Sequence, residues 1–265
     1  MIKILAIGDV FGEVGKKILV NYLSKIKIKY FVDFTIANVE NSSKSGKSIT
    51  EKDFHLFKSL GIDVMTSGNH IFSLEETRNY IQKYPELLRP LNSNPYHPGN
   101  GTYLTSVKGK TIRVTNLIGN AFMPTSENPY FALEKVFNEE ESEIHIVDFH
   151  AEATAEKRAL SWYFDGKLTA FYGTHTHVQT ADERILPNGT AFITDIGMTG
   201  PKEGIIGAKP EAIIKRGKFG FNSKMEPNYD SGQFNGIVIS IEEKGNKVLL
   251  IERLNFDYEY LEKFL

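Results

Sequence analysis

The chain has 265 residues, 41% of them apolar, with 18 Phe and 12 Tyr, enough to bury the core of one large α/β domain. Lys plus Arg number 31 and Asp plus Glu 33, a net charge of −2, so no global basic field exists to attract nucleic acid. There is no cysteine, which excludes disulfides and thiolate metal sites; any metal must be held by His, Asn and carboxylates.

Residues 2–7, Ile-Lys-Ile-Leu-Ala-Ile, read as a buried strand. This run reaches Asp9 too soon for a signal peptide, and no run approaches the roughly 18 apolar residues of a membrane span, so a soluble cytoplasmic protein is expected. A helix is predicted over about 13–29, with Val14, Ile18, Leu19, Tyr22, Leu23 and Ile26 at helical spacing. Strand 33–37 ends at Asn38-Val39-Glu40-Asn41, a helix near 50–60 closes at Gly61, and strand 62–66 ends at Gly68-Asn69-His70. Ser73-Leu74-Glu75-Glu76 reads as a capping box opening the next helix. This alternation predicts a parallel sheet with helices on its faces.

Residues 85–101, rich in Pro, Asn and Gly, should be loop, and 102–118 a hairpin turning at Lys108-Gly109-Lys110. A helix near 129–140 precedes strand 144–149, which ends at His150, and another helix spans 152–164. Strand 168–172 runs into Gly173-Thr174-His175-Thr176-His177, and strand 190–194 into the glycine-rich loop 195–201. A helix near 209–216, an irregular stretch 217–233, and strands 234–242 and 246–254 complete the chain, with no repeat or linker, so 1–265 reads as a single domain.

Asp9, Glu40, Asn41, Asn69, His70, His150, His175 and His177 all fall just after predicted strands. In open α/β sheets those carboxyl ends line the binding crevice, so residues distant in sequence converge there. Carboxylates, amide carbonyls and imidazoles are ligands for ions such as Mn²⁺, Fe²⁺ or Zn²⁺. In an extended backbone His175 and His177 would point to the same side, toward one metal-sized space. Taken singly, several of these residues have plainer readings. Asp9 could cap the helix near 13 and Asn41 could stabilise a turn. Asp148 could orient a ligand, pack, or face solvent, and the 195–201 loop could simply turn or could close over substrate. His55 reads as structural, His145 as a packing or surface residue, and His97 as solvated or overhanging a cleft.

Gly8-Asp9, Asn38-Val39-Glu40-Asn41, Gly68-Asn69-His70, Asp148-Phe149-His150 and Gly173-Thr174-His175-Thr176-His177 resemble, in order, the five motifs of calcineurin-like metallophosphoesterases. The second motif and Asp195-Ile196-Gly197-Met198-Thr199-Gly200-Pro201 are similar to those of the YmdB-type bacterial phosphodiesterases. Most of the wider family has Asp-x-His in motif one; here the stretch is Asp9-Val10-Phe11, and the resemblance to this branch implies that Asn41 fills the missing histidine's place.

The resemblance implies a four-layer αββα sandwich with a dimetal site at the strand ends. It implies one metal on Asp9, Glu40, Asn41 and His177, and another on Glu40, Asn69, His150 and His175, with Glu40 bridging. Iron or manganese is the implied occupant, with zinc or magnesium as alternatives. His70 is implied to face the leaving group. The chemistry expected is attack by a metal-bridging hydroxide, with His70 as general acid, on cyclic nucleotides (2′,3′ or 3′,5′) or related small phosphodiesters. The alternatives are a phosphomonoesterase or ribonuclease with the same site, or a metal-stabilised regulatory protein with vestigial activity. RNA is disfavoured as a partner by the charge, and a homo-oligomer is compatible with the sequence.

Overall fold

Along β1 (Ile2–Ile7), Ile2, Ile4 and Ala6 enter one apolar cluster and Leu5 and Ile7 another, so both faces of this strand are covered. That is the pattern of a strand inside a layered α/β core. The computed structural model describes residues 1–138, 141–220, 224 and 226–264. In chain order β2 (Asp9–Val10), α1 (Gly12–Tyr30), β3 (Phe34–Asn38), α2 (Glu51–Ser59), β4 (Val64–Thr66) and α3 (Glu75–Tyr80) come first. Then follow β5 (Thr102–Val107), β6 (Lys110–Ile118), α4 (Pro129–Phe137), β7 (Ile144–His150), α5 (Thr154–Tyr163) and β8 (Ala170–Thr174). β9 (Arg184–Ile185), β10 (Ala191–Ile193), β11 (Met198–Thr199), α6 (Pro210–Phe219), β12 (Gln233–Ile241), β13 (Val248–Asp257) and α7 (Tyr258–Phe264) complete the fold.

Two sheets carry the architecture, in the orders β13-β12-β1-β3-β4 and β5-β6-β7-β8-β10-β9, with β11 and β2 forming a small third pairing. β1, β3 and β4 are parallel, as are β6, β7, β8 and β10. Ile4, Ile36, Val114, Ile146, Tyr172 and Ile237 fill the layer between the sheets. Leu5, Ile7 and Val238 turn outward against Val14, Ile18 and Leu19 of α1 and Phe54 and Phe57 of α2. On the other side Val147, Phe149, Phe171 and Phe192 meet Leu133 and Val136 of α4 and Leu160 of α5. Helix, sheet, sheet, helix is the expected four-layer order. Among the described residues, no helix is long and apolar enough to cross a membrane.

The hairpin of β5 and β6 and the loop character of 85–101 are as expected, apart from a single 3₁₀ turn that ends just before the loop, at Ile81–Lys83. The predicted end of the helix near 129–140 reaches 139 and 140, and the irregular stretch 217–233 includes 221–223 and 225; these lie outside the described residues. The capping box is a correction. α3 begins at Glu75 behind Leu74, with no side-chain cap, because Ser73 is held one residue earlier in a turn through its N–H to the His70 carbonyl (2.9 Å). The α1 helix likewise starts behind Phe11, not under a cap from Asp9. β2, β9, β11 and α7 have no counterpart among the predicted elements; the first three are only two residues long, too short for an alternation to show.

Candidate metal centre

The carboxyl ends of β1, β3, β4, β7 and β8 meet at one rim, and the eight predicted residues are brought there together. Glu40, after β3, is buried; its Oε1 lies 3.0 Å from His150 Nε2 and its Oε2 accepts from the His70 N–H at 2.9 Å. Asn69 Oδ1 and His175 Nδ1 lie 3.1 and 3.0 Å from the same His150 nitrogen. Glu40, His150 and His175 thus form a group that could hold a metal ion. On the other side His177 Nε2 stands 3.3 Å from Asn41 Oδ1 and 3.7 Å from Asp9 Oδ1. His70 and Lys47 line the cleft in front of both groups.

Each inward atom is aimed by what holds the rest of its side chain. His150 donates from Nδ1 to Thr174 Oγ1 (2.9 Å), which donates to Asp148 Oδ1 (2.7 Å), so Nε2 is left facing in. His175 turns its Nε2 to Glu152 (3.2 Å) and His177 its Nδ1 to the Ile206 carbonyl (2.9 Å). Asn41 gives its amide N–H to the Gly46 carbonyl at 3.0 Å, which leaves the side-chain oxygen inward. Asp9 accepts from the His175 N–H through Oδ2 (3.1 Å), while its buried Oδ1 has no hydrogen-bond partner among the described residues. An orphaned carboxylate oxygen in a buried site costs free energy unless a cation or donor completes it.

The electrostatics agree. Burial opposes charge on His150, yet Glu40 and Asp9 outweigh it and raise the imidazole to about 9. Burial likewise opposes the Glu40 carboxylate, and His150 and the His70 N–H overcome it, lowering Glu40 to about 2. Without an ion, a proton on His150 balances the carboxylates. Burial and the neighbouring His150 lower His175 to about 3, so it is a neutral lone-pair donor. The donor set and the orphaned oxygen fit a divalent cation held by N and O ligands.

The extended geometry expected at His175 and His177 is corrected. β8 ends at Thr174, and His175 and His177 have φ of 101° and 62°. The chain turns sharply, so the two imidazoles reach different neighbours. Gly68 also has a role that sequence does not disclose: a Cβ there would lie 2.1 Å from His150 Cδ2. The ring packs directly on the Gly68 backbone.

Comparison with known proteins follows the same lines. A family profile described as YmdB-like protein matches residues 5–254. The chain belongs to the YmdB-like family. It is 42% identical over 264 residues to a protein of Bacillus subtilis (strain 168) named 2′,3′-cyclic-nucleotide 2′-phosphodiesterase, covering 98% of this chain and 100% of that one. A crystal structure of a phosphatase from Mycoplasma pneumoniae superposes with a TM-score of 0.92 at 35% identity, over 99% of this chain and 96% of that one. A structure from Thermus thermophilus, of a protein of unassigned function, gives 0.91 at 33% identity, over 97% and 99%. The expected calcineurin-like fold and a hydrolytic phosphoesterase of the YmdB-like branch are therefore what the chain is.

Several residues around this YmdB-like site escaped the sequence reading. Lys157 of α5 is fully buried and its Nζ lies 2.7 Å from Asp195 Oδ2. Asp195 also accepts from the Thr176 N–H (3.2 Å), the Thr176 hydroxyl (2.8 Å) and the Gly197 N–H (2.8 Å). The pair therefore clamps the turn that carries both histidines. Gly173 makes room for it, since a Cβ there would lie 2.7 Å from Lys157 Cδ. One signal was present: Lys157, Leu160, Ser161 and Phe164 share one face of the helix, so Lys157 falls on the buried stripe. Asp148, left open above, orients His150 through Thr174. The 195–201 loop is sewn in by β11 pairing with β2, and Ile206 and Ala208 beyond it wall the cleft instead. His145 is structural: buried, bonded to Thr115 (2.9 Å), and lowered by burial to about 3.

Proposed function

We propose that the chain is a dimetal phosphodiesterase acting on 2′,3′-cyclic nucleotides and related small phosphodiesters, 3′,5′-cyclic nucleotides among them. One observation carries this reading: every candidate ligand turns a donor atom inward, and all three histidines have their outer nitrogen occupied elsewhere. Asp9, Glu40, Asn41 and His177 would hold one ion, and Glu40, Asn69, His150 and His175 the other, with iron or manganese as occupants. When bound, such ions supply Lewis acidity to the phosphoryl oxygens and lower the pKa of water at the site.

The chain's own residues supply the rest. His70, held by its backbone to Glu40, lies in the cleft where the leaving oxygen departs and gives it a proton. Burial lowers the His70 imidazole in the free protein, so the substrate's anion is what brings it to the charged form. Lys47, exposed and lining the same cleft, adds a fixed positive charge beside the phosphate. Phe11, Ile206, Ala208 and Pro227 form apolar walls that exclude water and favour a flat organic group.

The test is metal analysis of protein purified without chelator, with a substrate panel on the same sample. About two metal equivalents per chain and metal-dependent hydrolysis of cyclic nucleotides in preference to p-nitrophenyl phosphate and oligonucleotides are expected. Protein without metal that stays inactive after Mn²⁺ or Fe²⁺ is added would refute the site.

A further inference from the structure

One cleft opens onto the centre and a second borders it at Asn69. The first, of about 610 Å³ counting its open mouth, holds Phe11, Lys47, His70 and His177. The second, of about 380 Å³ on the same count, lies on the far side and is bounded by Gly68, Asn69, Phe72, His97, Ile118 and Pro124. They meet at the Asn69–His70 peptide, with His70 in the first and Asn69 in the second. Asn69 is the residue whose side-chain oxygen stands 3.1 Å from His150, so the second cleft abuts the centre at Asn69. A phosphate seated at the centre would have a cleft on either side of the Asn69–His70 peptide.

A 2′,3′-cyclic nucleotide carries both ester oxygens on one ribose and needs only one of these clefts. A phosphate joining two separate groups needs both. The walls of the second cleft say what the second group is. Behind its wall stands the guanidinium of Arg89, 3.4 Å from Ser93 Oγ, and among the described residues none that lines the cleft is Asp, Glu, Lys or Arg. Instead it presents an aromatic pair, His97 edge-on to Phe72 with centroids 4.8 Å apart, and the amide and hydroxyl groups of Asn94 and Thr125. That is a surface for a neutral flat ring with hydrogen-bonding edges, such as a nucleobase.

We propose that the second cleft is a subsite for the retained arm of an acyclic phosphodiester, making dinucleoside monophosphates a substrate class of this enzyme. The inference rests on the phosphodiesterase reading above. Water adds at phosphorus and the bond to the arm in the first cleft breaks. The freed oxygen leaves with a proton from His70. The arm in the second cleft is released carrying the phosphate as a monoester.

The experiment compares thymidylyl-thymidine, which has no 2′-hydroxyl, with 2′,3′-cyclic AMP, using metal-loaded wild type, His97→Ala and Thr125→Trp. His97 and Thr125 are exposed, so both variants should fold. The expected result is hydrolysis of both substrates by wild type. Each variant should lose roughly tenfold in kcat/KM on the dinucleoside, mainly in KM, with less than twofold change on the cyclic nucleotide. Calorimetric binding of the dinucleoside to the His70→Ala protein should weaken with the same two changes. Cyclic-nucleotide hydrolysis without dinucleoside cleavage, or equal effects on both substrates, would overturn the subsite and leave the phosphodiesterase reading intact. Inactivity on both substrates would overturn both together.

Discussion

Replacing Lys157 with Met removes one partner of an ion pair whose two side chains are 0% and 1% exposed. Deleting one member of a buried pair costs about 3–5 kcal/mol, because the other charge stays buried without compensation. Asp195 keeps three donors, from Thr176 and Gly197, which places the loss near the low end, about 3 kcal/mol. For a chain of this length each 1 kcal/mol moves the melting temperature by about 2–4 °C, so a fall of roughly 6–12 °C is expected. Turnover should fall as well, since a carboxylate no longer anchored by Lys157 holds Thr176 less firmly between the two histidines. A displacement of about 1 Å there is worth roughly a hundredfold in kcat. The double variant Lys157→Met, Asp195→Asn removes the buried charge. It should regain much of the melting temperature but remain at least about tenfold slow, because an amide oxygen cannot serve all three donors. Thermal unfolding and cyclic-nucleotide hydrolysis, both on metal-loaded protein, read the two effects separately. A Lys157→Met protein with wild-type melting and wild-type kcat would show that the pair does not hold the turn.

His70→Ala should keep its metal yet lose roughly 10²–10⁴ in turnover on nucleotides; full activity would remove His70 from the mechanism. His150 carries its proton at every pH below about 9 in the metal-free protein, and that proton must leave for a metal to bind. Metal affinity should therefore fall about tenfold per unit as pH drops from 8 to 6, and a titration flat across that range would contradict the assignment. Thr174→Val removes the acceptor of the His150 Nδ1 proton and should weaken metal binding roughly 10–100-fold without lowering helix content by circular dichroism. Gly68→Ala puts a methyl group 2.1 Å from His150 Cδ2 and should abolish one metal equivalent; unchanged stoichiometry by elemental analysis would show that the ring has room to move.

The layers were legible because strands buried on two faces show as short continuous apolar runs set between helical patterns. In the run Ile2 to Ile7 only Lys3 is polar, and the structure sends Ile2, Ile4 and Ala6 to one cluster and Leu5 and Ile7 to the other. The candidate ligands were legible because each follows such a strand, so their meeting was a consequence of topology. What supports them was not. Lys157 reads as an ordinary helix lysine until its partner Asp195, on another strand, is placed beside it. Glu152 is half exposed and becomes informative only through His175 Nε2 at 3.2 Å. Local rules also misled where tertiary contacts decide. The capping box at Ser73 fits the sequence rule, yet the turn that brings the His70 N–H to Glu40 shifts the helix start past it. β2 and β11 pair across most of the chain, which no local window contains.

The paired histidines show how far spacing alone can be pushed. Two residues apart on a straight strand, His175 and His177 would converge on a single ion. Positive φ at both positions sends His175 Nδ1 toward His150 and His177 Nε2 toward Asn41 instead. Such conformations cost on the order of 1–3 kcal/mol each for residues with a Cβ, and persist only when their surroundings over-determine them. Here the surroundings do so at every link: Asp9 takes the His175 N–H, Asp195 takes the N–H and hydroxyl of Thr176, and Ile206 takes the His177 ring proton. The cost is thus met by the same residues that aim the ligands. It follows that the Thr-His-Thr-His spacing would not build this centre in another loop. A graft of the motif without the Asp9 and Asp195 acceptors should relax to negative φ and return the two imidazoles to one side.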